Sequence, residues 1–274
     1  MWRALVKNRT SVVGLVLTLI LILIAVFAPF IAPRDPLKQS IRNKNEPPSA
    51  SYLLGTDRFG RDVLSRIIHA SRVSIGIGFG AAFLGAAVGT IVGAFGTYLG
   101  GRTEAVMIRA IDVMMSFPTL LLCLLVLTVL GSGLTRVMLA IAIAFIPRFA
   151  RLSRGPTLAL RNIEYVEAAR AVGASHLRIA VRHILPNIVG PISVMLVMWI
   201  ASAIRIEATL SFLGFGVQPP TPTWGWTLSY GMRFLRGDPW LSTVAGLAIM
   251  ISVLGFNLFG DGLRQILDPR DVSR

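Results

Sequence analysis

The chain has 274 residues, of which 54% are hydrophobic and 15% are charged, and its mean hydropathy is +0.70. Soluble globular domains carry about 25% charged residues, so this composition excludes an ordinary soluble domain. The excess of 27 Lys and Arg over 13 Asp and Glu would by itself suggest a nucleic-acid partner. However, the basic residues lie between long apolar runs, as in the water-facing loops of a membrane protein.

Six apolar runs predict six membrane-spanning helices, because a bilayer core needs about 20 apolar residues. The runs cover residues 12–32, 73–99, 113–130, 137–147, 188–204 and 243–259. A closed β-barrel is the other structure that hydrogen-bonds all its backbone groups in lipid, but the short alternating segments that it needs are absent from the sequence. We therefore predict an all-α, polytopic membrane protein with two parts. Residues 1–72 form a tail, an anchor helix and an outer loop, and residues 73–274 form a five-helix core.

The first two runs carry distinct packing signals. Run 12–32 indicates an uncleaved anchor, since no small-residue cleavage site follows it. Residues 61–72 are either a helix lying in the membrane interface or a solvated start of the second span. Within that span, Gly85, Gly89 and Gly93 form two overlapping G-x-x-x-G units, which favour close approach of another helix.

The single cysteine and the distribution of basic residues bear on packing and on orientation in the membrane. Cys123, the only cysteine, lies in the third run and is predicted to be a packing residue. Under a six-span topology, one side holds 15 of the 27 basic residues and the other holds 11, with Arg205 in or beside a span. The positive-inside rule therefore predicts that both termini are cytoplasmic.

The loop after the fourth run, about residues 148–187, carries seven arginines on the predicted cytoplasmic side. Asn162 is placed to cap a helix that Gly173 ends, and Ser175 is placed to start a second helix that Pro186 ends. A small apolar stripe on the first helix comprises Tyr165, Ala168, Ala169 and Val172. The residues alone leave open whether this stripe enters a groove on another protein or folds against its own bundle.

Charged and aromatic residues mark the later part of the chain. Glu207 and Arg205 lie in or near the fifth span, and intramembrane charges are candidates for a translocation path or gate. Asp112, at the inner end of the third span, is predicted to be an interfacial cap. Residues 217–226 form a proline-rich outer segment. The aromatic residues predicted for a membrane-interface belt are Trp224, Trp226 and Trp240.

Motifs for independent catalysis are missing from the sequence. It has no G-x-x-x-x-G-K-[ST] phosphate loop, and all three lysines precede residue 45. His69, His176 and His183 do not form the pair of a zinc-binding helix. We therefore predict that the chain is not an enzyme and holds no catalytic, cofactor or metal site of its own.

Several motifs resemble one known family. Glu167-Ala168-Ala169, followed by Gly173 and then Leu185-Pro186, is similar to the EAA motif of ABC importer permeases. Three further stretches, residues 54–62, 211–225 and 256–270, resemble the dipeptide, oligopeptide and nickel branch of that family. They occur in the family's order and cover most of the chain from residue 54 onward.

The resemblance implies a type I ABC importer permease fold and a role in an ATP-driven importer. The chain would form half of a path for short peptides, with nickel or another small peptide-like solute as the alternative. An ATP-independent channel or secondary transporter is the alternative from a different class. The same resemblance implies which residues contact an ATPase subunit and couple it to the path: Tyr165, Glu167, Ala168, Ala169, Arg170 and Gly173.

The resemblance also implies partners and a location. These are a sister permease, in a heterodimer, two ATP-binding subunits that hold ATP and Mg, an extracytoplasmic substrate-binding protein and membrane lipid, with no nucleic acid. The expected location is the cytoplasmic (inner) membrane of a bacterium or archaeon.

Overall fold

A computed structural model describes residues 9–237 and 239–267, which contain ten α-helices and no β-strand. The helices are α1 Arg9–Ile31, α2 Val63–Leu99, α3 Gly101–Ser116, α4 Thr119–Leu130, α5 Leu134–Arg161, α6 Glu164–Ala171, α7 His176–Ile179, α8 Leu185–Phe212, α9 Trp224–Met232 and α10 Pro239–Leu267. A π-helical segment, Ala180–Ile184, joins α7 to α8. Residues 1–8 and 268–274, which carry part of the predicted charge bias, lie outside the described residues.

Four helices are long and apolar enough to cross a membrane: α1, α2, the joined α7–α8 helix and α10. Helices α3 and α4 together make a fifth candidate, but they meet at 95°. The predicted third span, 113–130, is therefore interrupted at Phe117 and Pro118. Because a residue before proline avoids helical geometry, Phe117 is extended, with φ −84° and ψ 133°. The all-α membrane fold is confirmed, whereas the count of six spans is not.

The predicted fourth span, 137–147, is only part of the 28-residue helix α5. At 1.5 Å per residue this helix is about 42 Å long, but arginines such as Arg148 and Arg151 make it too polar to pass as a span by composition. Residues 148–161, predicted to be loop, are therefore helical. Two of the arginines on this stretch pair with carboxylates of α3.

Helix α5 packs along α2 through the predicted glycine surface. A Cβ atom added at Gly93 would collide with the Ala150 carbonyl oxygen and the Ser153 hydroxyl. At Gly85 it would collide with Phe145. The predicted role of the G-x-x-x-G units in helix packing is confirmed. Cys123 is also buried, with Sγ 3.8 Å from the carbonyl oxygen of Ala140, as predicted for a packing residue.

Residues 32–62 form a folded cap on α2 rather than an extended loop. Asp62 caps the helix by accepting a hydrogen bond from the Ser65 amide at 2.8 Å. Arg61 Nε donates to Asp57 Oδ2 at 2.7 Å, and Arg66, only 1% exposed, donates to the Pro36 carbonyl at 3.2 Å.

Of the two alternatives for residues 61–72, the structure has the start of the second span, since residues 63–72 are the first turns of α2. Arg61 and Arg66 turn inward, because Asp57 and the Pro36 carbonyl receive them, whereas Arg72 is exposed. Helix α2 also passes without a break through residue 72, and the division of the chain at that residue stays a prediction.

The region around α9 packs on α2. Trp224 is 1% exposed and donates from Nε1 to the Ile67 carbonyl at 3.0 Å. Its predicted place in an aromatic belt is wrong, because the indole finds its partner inside the bundle. Trp226 stacks instead on Tyr230, with ring centroids 5.0 Å apart.

The main core lies between α2, α5 and α8. Phe145 and Phe149 of α5 lie against Trp199 of α8, with ring centroids 4.8 and 6.0 Å apart. Such aromatic contacts add to the apolar area that the three helices bury. The core thus ties α5 and α8 together, and the segment between these two helices projects from one end of the bundle.

Candidate functional site

The connecting segment, residues 162–184 between α5 and α8, contains the predicted coupling residues. Its first helix, α6, begins after Ile163, whose side chain makes no cap hydrogen bond. The predicted capping role of Asn162 is wrong, because Asn162 ends α5 and its amide donates to the Leu160 carbonyl. Glu164 and Glu167 lie in the first turn of α6 and complement its positive end.

Gly173 ends α6 as predicted. Its φ is +82°, a left-handed value that favours glycine. The Gly173 amide donates to the Arg170 carbonyl, and the Ala174 amide donates to the Ala169 carbonyl, each at 3.0 Å. These bonds satisfy carbonyls that a helix end leaves free. Ser175 then accepts from the Arg178 amide at 3.3 Å and starts α7, which is also as predicted.

Pro186 does not end the second helix, contrary to prediction. It lies at the start of α8, directly after the π-helical segment, and the helix continues through it. The π segment supplies the junction, since the Leu185 amide donates to the Ala180 carbonyl five residues back. The connecting segment therefore continues into α8 as one helix from His176 to Phe212.

The connecting segment has an inward and an outward face. Val166 of α6 is fully buried with Ile179 and Ile184, against Tyr98 at the end of α2. Tyr165 and Ala168 point outward, and so does Val172, which is 84% exposed. Ala169, in contrast, is partly buried. The segment thus folds on its own bundle through Val166 and leaves most of the predicted stripe exposed, and entry of that stripe into a groove on another protein stays a prediction.

Tyr98 is the main contact between α2 and the connecting segment, and sequence analysis did not identify it. Its hydroxyl lies 3.3 Å from His176 Nδ1, and the Arg170 guanidinium lies 5.9 Å from the centre of its ring. Arg161 adds a hydrogen bond from Nη1 to the Thr97 carbonyl at 3.2 Å. The only sequence signal was a tyrosine near the end of an apolar run, where its ring can pack and its hydroxyl remains hydrated.

The structure places all six predicted coupling residues on α6 and the turn that ends it. Glu167 and Arg170 are exposed, and Tyr165 receives a hydrogen bond from Asn187 of α8 at 3.5 Å. This bond, together with the contacts of Tyr98, connects α6 to the ends of two bundle helices. A movement of α6 would therefore be passed to both bundle helices, while the coupling role itself stays a prediction.

The two predicted path residues lie in different environments. Glu207 is 0% exposed, and its Oε1 accepts a hydrogen bond from Ser211 at 2.7 Å. Its own chain encloses it in this conformation, and its predicted place on a path is untested. Arg205 is exposed and forms no ion pair within residues 9–237 and 239–267. A role in gating stays a prediction for both.

The acidic residues of α3 pair with arginines of α5. Asp112 forms an exposed ion pair with Arg151, and Glu104 accepts from Arg154 Nε at 2.9 Å. The predicted interfacial cap at Asp112 is therefore wrong, because its carboxylate bridges two helices instead.

Comparison with known proteins identifies the family. Residues 85–271 match the family described as the binding-protein-dependent transport system inner membrane component, and residues 1–48 match the N-terminal transmembrane domain of oligopeptide transport permease C. The chain belongs to this family of inner membrane permeases. The resemblance seen in its motifs is confirmed.

Two curated relatives align with the permease over nearly its whole length. A dipeptide transport system permease protein of Haemophilus influenzae is 42% identical over 98% of this chain and 93% of its own. A glutathione transport system permease protein of Escherichia coli is also 42% identical, over 98% of this chain and 89% of its own.

Among solved structures, the permease resembles a chain of the inward-facing methionine ABC transporter MetNI, with a TM-score of 0.54 and 18% identity. The match covers 76% of this permease and 97% of that chain. It shows the type I ABC importer permease fold that the motifs implied. The permease is thus a transport component of the inner membrane with several apolar helices.

Proposed function

We propose that this permease forms half of the translocation path of an ATP-driven importer for short peptides. The observation that carries the proposal is the near full-length identity of 42% to permeases named for dipeptide and glutathione transport. Both named substrates are small peptides. Nickel has no comparable observation in its favour, and a binding-protein-dependent family favours an assembled importer over an independent channel.

The proposed machine contains a different sister permease, two ATP-binding subunits that hold ATP and Mg, and an extracytoplasmic binding protein. The end of the bundle that carries α6 is cytoplasmic, as are both termini. The arginines concentrated in and around the connecting segment support this orientation. The folded cap of residues 32–62 then lies on the side that receives the binding protein.

In the proposed mechanism, α6 enters a groove on one ATP-binding subunit. Its outward residues Tyr165, Ala168 and Val172 supply an apolar contact surface, and small alanines allow close approach. When the ATP-binding subunits close, α6 moves with them. The π-helical junction carries that movement into α8, and the Tyr98–His176 contact carries it into α2. ATP thereby favours one of two bundle conformations.

Co-purification tests the proposed assembly. We expect the tagged permease, expressed with the transport proteins encoded beside it, to retain one sister permease and two ATP-binding subunits in detergent. A permease that purifies alone from those cells and moves peptides without ATP would contradict the proposal.

A further inference from the structure

Arg148 lies at the middle of α5 in a position that the proposed coupling does not use. On α5 it falls between the residues that pack on Gly89 of α2. Its guanidinium carbon lies 5.0 Å from the centre of a Trp199 ring, and its Nη2 donates to the Thr119 hydroxyl at 2.5 Å. Trp199 is about 20 Å from either end of α8. Arg148 is therefore far from both ends of α8.

Arg148 also differs from the other arginines on the same stretch of α5. Arg151 pairs with Asp112, and both Arg154 and Arg161 approach Glu104, at 2.9 and 4.0 Å. Within residues 9–237 and 239–267, no carboxylate lies within ion-pair distance of Arg148. Its charge is held by a hydroxyl and an indole face, and neither of them neutralises it.

The surroundings of Arg148 indicate contact with water. Its side chain is partly exposed, and a guanidinium at this depth faces a protein interior or an aqueous cavity because contact with hydrocarbon is costly. Thr119 begins α4 directly after the 95° break at Phe117 and Pro118. Phe117 is itself exposed, and broken helices at membrane depth occur where backbone lines a cavity or is covered by protein.

We infer that Arg148 lines the aqueous path between the paired permeases and binds a carboxylate of the passing peptide. This inference rests on the proposed function. A guanidinium forms paired hydrogen bonds with a carboxylate, the one group that every unmodified peptide carries at its C-terminus. Trp199 and Thr119 hold the guanidinium in place while leaving its charge unneutralised. Release follows when the bundle changes conformation and these three residues separate.

Thiol accessibility tests whether Arg148 lines water, independently of the substrate. In the complete importer, reconstituted in liposomes with Cys123→Ala as background, Arg148→Cys is treated with the membrane-impermeant reagent 2-sulfonatoethyl methanethiosulfonate. Phe83→Cys is the matched control, because Phe83 is 63% exposed and lies beside Gly85, which packs on the same stretch of α5. Ionised thiols react, and a thiol facing hydrocarbon stays protonated.

We expect Arg148→Cys to react about tenfold faster than Phe83→Cys or more, since a thiol that faces hydrocarbon, as expected at position 83, loses most of its thiolate. Thr119→Cys reports on the same place with the arginine intact, so a folding defect of Arg148→Cys does not leave the question open. Equal or slower reaction at both positions than at Phe83→Cys would overturn the path assignment.

Peptide uptake tests the carboxylate contact. The probes are alanine di-, tri- and tetrapeptides with free carboxylates, quantified by mass spectrometry. We expect Arg148→Gln to lower the initial rate of uptake by about tenfold or more, because a charge-assisted pair is lost, and Arg148→Lys to recover only part of it, because lysine keeps the charge but not the paired hydrogen bonds. Arg136→Gln is the control, since Arg136 is exposed at the start of α5 and bonds only the Ser132 carbonyl.

Two outcomes separate this inference from the proposed function. Wild-type uptake by Arg148→Gln would overturn the carboxylate contact and leave peptide transport standing. If the wild-type importer takes up none of the alanine peptides, the peptide proposal and the carboxylate contact both fall, while the thiol rates still decide whether Arg148 lines the path.

Discussion

Tyr98 illustrates how a single side chain can join the membrane bundle to the connecting segment. It is buried at the end of α2, in contact with the Val166 cluster, and its hydroxyl reaches His176. A phenylalanine would keep the ring contacts and lose one hydrogen bond, which is worth about 1 kcal/mol. An alanine would lose both, and the connecting segment would then move without α2.

We therefore predict that Tyr98→Ala uncouples ATP hydrolysis from uptake and that Tyr98→Phe does so only weakly. The measurement is the number of peptides transported per ATP hydrolysed in reconstituted importer. Equal ratios for the wild type and Tyr98→Ala would show that Tyr98 does not transmit the movement of the connecting segment to α2.

Ala168 is a better position than Ala169 for testing whether α6 docks on an ATP-binding subunit. It is exposed, whereas Ala169 is partly buried, so an arginine at Ala169 would also disturb the permease's own packing. We predict that Ala168→Arg lowers retention of the ATP-binding subunits during purification by about tenfold or more, because a bulky charge must then be desolvated in an apolar groove. Ala159→Arg, on the exposed side of the last turns of α5, is the control. Normal retention by Ala168→Arg would rule out docking through this face.

Single residues were predictable where their own chemistry decides the backbone. Gly173 and Ser175 end and begin helices as expected, because left-handed φ and side-chain capping are local properties. Asn162 and Pro186 were mispredicted because neighbouring helices continue through positions where isolated helices would start or stop. Glu207 was recognised as unusual, but its enclosure depends on which side of α8 faces the bundle, which a single sequence does not specify.

At the scale of elements, the contact between α2 and α5 depends on glycine. A side chain at Gly93 would collide with the Ala150 carbonyl oxygen and the Ser153 hydroxyl, whereas a Cβ atom at Gly76 would meet no atom of another residue within 4 Å. We predict that Gly93→Leu destabilises the permease by about 3 kcal/mol or more, because overpacking forces two helices apart. Gly76→Leu, on the same helix, leaves stability nearly unchanged. Thermal unfolding in detergent measures both, and equal midpoints would contradict close packing at Gly93.

The cap of residues 32–62 depends on a buried carboxylate. Asp57 pairs with Arg61 and lies 3.8 Å from Arg66, and all three side chains are buried. We predict that Asp57→Ala costs about 3–5 kcal/mol of stability, because it leaves buried positive charge unpaired. Asp35→Ala is the control, since Asp35 is exposed and accepts a hydrogen bond from the Leu37 amide. Proteolysis within residues 32–62 should rise in Asp57→Ala only, and an intact cap in that variant would refute the charge argument.

At the scale of the whole molecule, apolar length predicted the membrane class, the helical fold and four of the spans. It failed at α5, where the arginines are offset by α2 packing and by carboxylates of α3, contacts that no sequence window contains. It also missed the bend between α3 and α4, although Phe117-Pro118 is visible in the sequence. Hydropathy detects helices that are apolar along their whole length, including the well-covered α2, and overlooks α5, whose charges interrupt its apolar residues.

Peptide uptake by the complete importer in proteoliposomes, with nucleotide supplied only on the side that carries α6, tests the proposed function most directly. We predict uptake of alanine peptides with MgATP and the binding protein present, and none with a non-hydrolysable ATP analogue. Equal uptake with the analogue, or with no nucleotide, would contradict it and indicate a channel or secondary transporter.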